Sequence, residues 1–139
     1  MEINKLCQDA HSISREKGWY SEGERNVGEL IALIHSELSE ALEEFRNGHK
    51  ATEVYYPKPP EQDILDELLA DKIITQAEFD KMGGEPKLPK PEGVPIEIAD
   101  AVIRIADLCG YLGIDLEEAI RIKTEYNKTR ATRHGGKKF

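Results

Sequence analysis

Two pairs of acidic residues share one spacing: Glu37-Leu38-Ser39-Glu40 and Glu97-Ile98-Ala99-Asp100. On a helix, side chains three or four residues apart lie one above another, so each pair presents two carboxylates to one spot. Two such pairs facing each other form a hard oxygen donor set of the kind Mg²⁺ takes, with Mn²⁺ as a substitute. Glu44 extends the first flank by another turn, with Leu33 at its start. A lone Glu on such a flank is ordinarily a solvated helix edge. The second pair changes this, because IEIADAVIRIADLCGYL is apolar almost all round and predicts a buried helix. Its charged residues Glu97, Asp100, Arg104 and Asp107 fall on one stripe. The opposite side carries Ile98, Ala99, Val102, Ile105, Ala106, Cys109 and Leu112. Buried charges are paired or hold metal. Arg104 can satisfy one carboxylate, and the others need a second polar stripe, which the Glu37 helix offers. Di-iron bundles require Glu-x-x-His, which the chain lacks. It also has no phosphate-binding glycine loop of the Walker A or GxGxxG type, and no Ser/His/Asp set at motif spacing.

An anion-binding counterpart lies further on. Lys123, Asn127 and Arg130 are at i, i+4 and i+7, hence on one helix face. Lys and Arg bind phosphates, and an Asn amide can hydrogen-bond a sugar or base edge. Arg25 and Asn26 are positioned to add to this. Residues 26–47 hold five Glu and one Arg, whereas 121–139 hold seven Lys/Arg and one acid. An acidic centre and a basic end suit a metal-bound polyanion, although on charge alone two solvated faces and a basic helix terminus account for them as well.

The elements that must position these residues are helices. Ile3, Leu6, Ala10 and Ile13 mark a first helix over about 3–17, stopped by Gly18, with Trp19 and Tyr20 in the following loop. The second begins after Asn26 as N-cap and runs to Asn47, with its apolar line through Val27, Ile34 and Phe45. The third starts at Pro95 or Ile96 and ends near Leu112. The fourth is capped by Asp115, with Glu118 placed for a capping box, and ends near Arg130; RATRHGGKKF reads as irregular. All seven prolines lie between Pro57 and Pro95, so that stretch separates two proline-free helical regions. Within it, EQDILDELLADK and a Thr75/Glu78 capping box before AEFDKM, ended by Gly83-Gly84, read as a small inserted helical hairpin. No segment alternates long enough for a convincing strand. The expected architecture is all-α: a four-helix bundle forming one domain over 1–139, with the hairpin inserted at about 50–92.

Composition narrows the setting. With 139 residues the chain makes one domain. A net charge of −8 argues against a general nucleic-acid or anionic-membrane binder. No apolar run approaches the roughly 20 residues of a membrane span, and the N-terminal stretch has no signal-peptide core. Cys7 and Cys109, without CxxC or Cys/His context, read as reduced thiols of a cytoplasmic protein.

In this pattern the sequence resembles the MazG-like branch of the all-α nucleoside triphosphate pyrophosphohydrolases. The family's E-x-x-E is met by Glu37 and Glu40 within HSELSEALEEF, and its E-x-x-D by Glu97 and Asp100 within PIEIADAVIRI. A following K-x-x-x-N is similar at Lys123 and Asn127, and the RHGGKK tail resembles many members. The likeness covers residues 1–48 and 92–139. It departs from the pattern in the long 50–92 connection and in Arg104, where some relatives carry an aromatic. The resemblance implies Mg²⁺-dependent hydrolysis of a (deoxy)nucleoside triphosphate to monophosphate and pyrophosphate, in nucleotide-pool house-cleaning. Glu37, Glu40, Glu97 and Asp100 would be the ligands, and Glu37 or Glu44 would position the water. Lys123, Asn127, Arg130, Trp19 and Arg104 would contact substrate, Trp19 by packing on the base. It further implies a homodimer or homotetramer whose sites draw helices from two subunits. Two other readings stand beside it: a phosphoribosyl-ATP pyrophosphohydrolase-like enzyme of the same fold, and a non-catalytic helical interaction module.

Overall fold

Asn26, Thr75 and Asp115 each set the start of a helix in the computed structural model, which describes residues 2–58, 60–82 and 88–130. The helices are α1 Ile3–Glu16, α2 Val27–Arg46, α3 Pro60–Ala70, α4 Gln76–Lys81, α5 Val94–Leu112 and α6 Leu116–Thr129. The all-α expectation holds. Asn26 Oδ1 accepts from the Glu29 amide at 3.0 Å, satisfying an amide that lacks an intrahelical partner. Asp115 Oδ1 does the same for the Glu118 amide at 3.0 Å. The expected box does not close there, because the Glu118 carboxylate turns to Arg121 at 2.6 and 2.8 Å. A complete box forms at Thr75 and Glu78. α5 begins at Val94, just ahead of the expected start, with Pro95 in its first turn, where a missing N–H costs nothing. The expected Gly83-Gly84 stop and the 131–139 tail lie outside the described residues. Among those described, no helix is long and apolar enough to cross a membrane.

The chain forms two compact units, Met1–Glu37 with Ala99–Phe139, and Leu38–Ile98. In the first, the buried centre is made of small residues: Cys7 and Ala10 from α1, and Ala106 and Cys109 from α5, flanked by Ile3, Leu6 and Leu116. Small side chains let two helices approach closely. Gly110 marks the tightest point, since a Cβ there would stand 2.6 Å from the Cys7 carbonyl oxygen and 2.6 Å from His11 Cβ. Gly110→Ala is therefore expected to cost about 1–3 kcal/mol through overpacking, read as a lowered thermal midpoint; an unchanged midpoint would contradict this packing. Asn4 ties α1 to the start of α6. Its side chain donates to Asp115 at 2.9 Å and accepts from the Glu117 amide at 3.2 Å, and its own amide donates to the Glu117 carboxylate at 2.8 Å. The Asn4 side-chain bond first, then the Glu118 amide, hold the Asp115 carboxyl below its ordinary range.

The second unit contains the expected hairpin. Leu65 of α3 and Phe79 of α4 are buried, while Ile64 and Ile73 remain exposed. Lys58 pairs with Asp66 and, at 3.3 Å, with Asp63. Tyr55 and Glu92 join the ends of the segment through two backbone hydrogen bonds of 3.0 and 2.8 Å, the one extended pairing among the described residues. Gly93 follows at φ +126, with a would-be Cβ 2.2 Å from the Glu53 carbonyl oxygen. Only glycine fits both the conformation and the approach. Because loop closure costs grow slowly with length and the neck is tied at 55 and 92, replacing 58–90 by a short Gly/Ser linker is expected to preserve helical folding by circular dichroism. A variant that no longer folds would place the hairpin in the core.

Candidate metal and phosphate site

α2 is rotated about its axis from the expected orientation. Leu30, Glu37 and Ala41 are buried and Leu33, Ile34 and Glu44 half-buried, whereas Val27, Ile31, Leu38, Leu42 and Phe45 are 38–60% exposed. The expected apolar line thus divides: Ile34 turns inward, and Val27 and Phe45 turn outward. The inward stripe includes the flank of Glu37 and Glu44. α5 is turned in the same sense. Glu97, Asp100, Arg104 and Asp107 are all half-buried, while Ile98, Val102 and Ile105 on the expected core side are exposed. The helix expected to be buried all round is half exposed. The physical reason lies in the partners the inward charges find.

In the first unit, Glu37 is 6% exposed, and its Oε1 accepts from Arg104 Nε at 2.5 Å. A buried carboxylate needs such a partner, since transfer of an unpaired charge out of water is prohibitive. The pair lines a 230 Å³ cavity together with Trp19, Arg25, Asp100 and Asp107, closed on its apolar side by Leu30, Leu33 and Ile103. Arg25 is built into the wall. Its guanidinium donates to the Trp19 carbonyl at 3.0 Å and lies 5.9 Å from the Trp19 and Tyr20 ring centres. Its amide donates to the Tyr111 hydroxyl at 3.0 Å.

In the second unit, a carboxylate oxygen of the exposed Glu40 and one of the half-buried Glu97 lie within 4.8 Å of each other. Glu40 is one turn beyond Glu37 on α2, and Asp100 one turn beyond Glu97 on α5. Oxygen donors this close suit a hard divalent cation, so the residues fit Mg²⁺ or Mn²⁺ in donor type and spacing.

The remaining expected residues are placed elsewhere. Glu44 accepts the Tyr55 hydroxyl on both oxygens at 2.9 and 2.8 Å and lies 3.5 Å from His49 Nε2. His49 also meets Glu53 at 3.1 Å and stacks on Tyr55 at 4.5 Å between ring centres. Glu44 thus holds the segment after α2. Lys123, Asn127 and Arg130 sit on or just after α6 and are not among the residues lining the cavity. Lys123 and Arg130 flank the Tyr126 ring at 5.1 and 5.5 Å.

Two clusters were not foreseen. Asp107 Oδ1 contacts His11 Nδ1 at 2.9 Å and accepts from the Tyr20 hydroxyl at 3.0 Å, with Tyr111 packed 4.8 Å from Tyr20. Burial first, and then the bond to Asp107, pushes the Tyr20 phenol well above its ordinary range. The other cluster is the Glu44–Tyr55–His49–Glu53 node. The bond to Glu44 first, then desolvation, pushes the Tyr55 phenol from 10.0 up to about 12. A folded-state pKa above the unfolded one means the stability from this bond is present below pH 10.0 and is lost as pH rises through about 12. Alkaline titration of phenolate absorbance is expected to lose one late-ionising tyrosine in Tyr55→Phe; an unchanged curve would refute the assignment. No sequence signal separates these clusters from ordinary surface residues, apart from Asp107 on the charged stripe and Glu44 on the acidic flank.

No family model matches the chain, and neither the curated proteins nor the solved structures hold a significant match to it.

Proposed function

We propose that the protein hydrolyses a (deoxy)nucleoside triphosphate to the monophosphate and pyrophosphate with Mg²⁺. The observation that carries the reading is the proximity of the Glu40 and Glu97 carboxylates, each one helical turn from a second acid, Glu37 or Asp100. In this reading α1, α2, α5 and α6 make a four-helix bundle, and Glu37, Glu40, Glu97 and Asp100 are the ligands. A bound divalent cation would supply neutralisation of the triphosphate and stabilise charge developing at the α-phosphorus. The chain's own groups do the rest. Glu37, which meets Arg104 through one oxygen, orients the attacking water with the other. Trp19, 57% exposed beside the cavity, offers its face to a base. Arg25 and Arg104 give the cavity two guanidiniums, which suit phosphate oxygens. Lys123, Asn127 and Arg130 act from α6 of a second copy in a cytoplasmic homodimer or homotetramer. The exposed Leu38, Leu42 and Phe45 of α2, and Val102 and Ile105 of α5, support an assembly of that kind.

The test is a panel of all common NTPs and dNTPs with Mg²⁺, with pyrophosphate release as the readout. Release from at least one, abolished by EDTA, is the expected result. Mg²⁺ binding without turnover of any nucleotide would favour a non-catalytic module instead.

A further inference from the structure

The chain has two cysteines, far apart in sequence, and the fold brings them together. Cys7 of α1 is 4% exposed and Cys109 of α5 is 5% exposed, and both belong to the small-residue centre of the first unit. Both are free thiols. Helix axes ordinarily stand about 8–10 Å apart, whereas a disulfide requires Cα atoms roughly 4.4–6.8 Å apart. Two helices meet that requirement only where small residues let their backbones approach. Gly110, next to Cys109, marks such a place, since a Cβ there would stand 2.6 Å from the Cys7 carbonyl oxygen. The thiols themselves interact. Burial first, then the charge and the hydrogen bond of the Cys7 side chain, push the Cys109 thiol above its ordinary range.

We propose that Cys7 and Cys109 are a disulfide modification site, at which a small disulfide oxidant such as oxidised glutathione converts the thiol pair into a covalent tie between α1 and α5. One cysteine, as thiolate, attacks a sulfur of the oxidant and displaces a glutathione thiolate, leaving a mixed disulfide. The other cysteine, as thiolate, attacks the protein sulfur of that mixed disulfide and displaces the second glutathione. The two cysteine protons end on the two glutathione thiols, and the two electrons the cysteines lose reduce the oxidant. Burial sets the condition for the first step. The thiolate is the nucleophile, and a packed, protonated thiol is inert, so exchange requires α1 to part locally from α5. Once made, the bond closes a loop of roughly 100 residues and strongly restricts the unfolded chain. In a reducing compartment the pair stays open, and an oxidising episode closes it. The same two helices wall the cavity of the first unit, through Ser14 on α1 and Asp100, Arg104 and Asp107 on α5. The tie therefore fixes the spacing of those walls.

The experiment equilibrates the full chain in glutathione redox buffer, approached from both the reduced and the oxidised protein. Intact mass reads the internal disulfide as the loss of two hydrogens with no glutathione added. The same titration is made in guanidinium, where the chain is unfolded. A fold that holds the thiols together favours the bond by as much as the bond favours the fold. The native chain is therefore expected to be half oxidised at a ratio of squared reduced to oxidised glutathione about 100-fold higher than the unfolded chain. The thermal midpoint of the oxidised protein is expected to stand about 10 °C above that of the reduced protein. A native chain oxidised no more readily than the unfolded one would overturn the proposal. So would native-state oxidation that ends in glutathione adducts or in disulfide-linked copies. Cys109→Ala, placed in a core that already holds Ala10 and Ala106, is expected to gain no midpoint from the same oxidation. An equal gain in that variant would assign the effect elsewhere and refute the tie.

Discussion

Asp100→Asn or Glu40→Gln is expected to lower turnover of the preferred nucleotide by a factor on the order of 10³, with helical content and melting close to wild type. Each substitution is nearly isosteric and removes one negative charge from the proposed ligand set. Several kcal/mol of transition-state charge stabilisation is what a cation at the reacting phosphorus supplies, and each 1.36 kcal/mol is a factor of ten in rate. Both residues are needed because each helix gives two donors: Asp100 is one turn from Glu97, and Glu40 one turn from Glu37. The comparison that decides is turnover against thermal midpoint. A variant that melts normally and turns over normally would remove its residue from the site, and wild-type turnover surviving EDTA would remove the cation.

Arg104→Met is expected to destabilise the metal-free chain by about 2 kcal/mol. Breaking a buried pair by deleting one partner costs roughly 3–5 kcal/mol, and the figure is reduced because more than a third of the Arg104 side chain is exposed. The thermal midpoint should fall by roughly 5–10 °C for a chain of this size. Saturating Mg²⁺ should restore part of the loss by linkage, since it replaces the missing positive charge beside Glu37. The reverse change is expected to be milder. Glu37→Gln leaves behind an arginine that water can reach, whereas Arg104→Met leaves a carboxylate that water cannot. Equal losses in the two variants would show that burial does not control the pair.

The helices were legible because their signals are local. Asn26, Asp115 and the Thr75/Glu78 box mark starts by short-range hydrogen bonds that tertiary packing did not have to supply. The Glu118 half of the second box was misread for the same reason: Arg121, three residues on, competes for its carboxylate. The rotation of α2 and α5 was not legible. Hydrophobic period identifies a stripe but not what covers it, and here Glu37 and Glu44 turn inward because Arg104, Tyr55 and His49 are there to meet them, while Glu40 between them stays exposed. The four acids were singled out by spacing alone. Arg104 was expected to satisfy a carboxylate of its own stripe, and its pairing with Glu37 of α2 was not foreseen. The His11–Asp107–Tyr20 cluster joins residues 87 and 96 positions apart. Nothing local announces it.

The outward Ile31, Leu38, Leu42 and Phe45 of α2 sit on a chain of net charge −8. Copies that meet through this apolar face must first overcome mutual electrostatic repulsion. Salt shortens the reach of that repulsion to about 8 Å at physiological ionic strength and about 3 Å at 1 M, while leaving the apolar attraction largely intact. Association through this face, where it occurs, is therefore governed by ionic strength as much as by concentration: it would be weakest in dilute low-salt buffer and strengthen as salt is added.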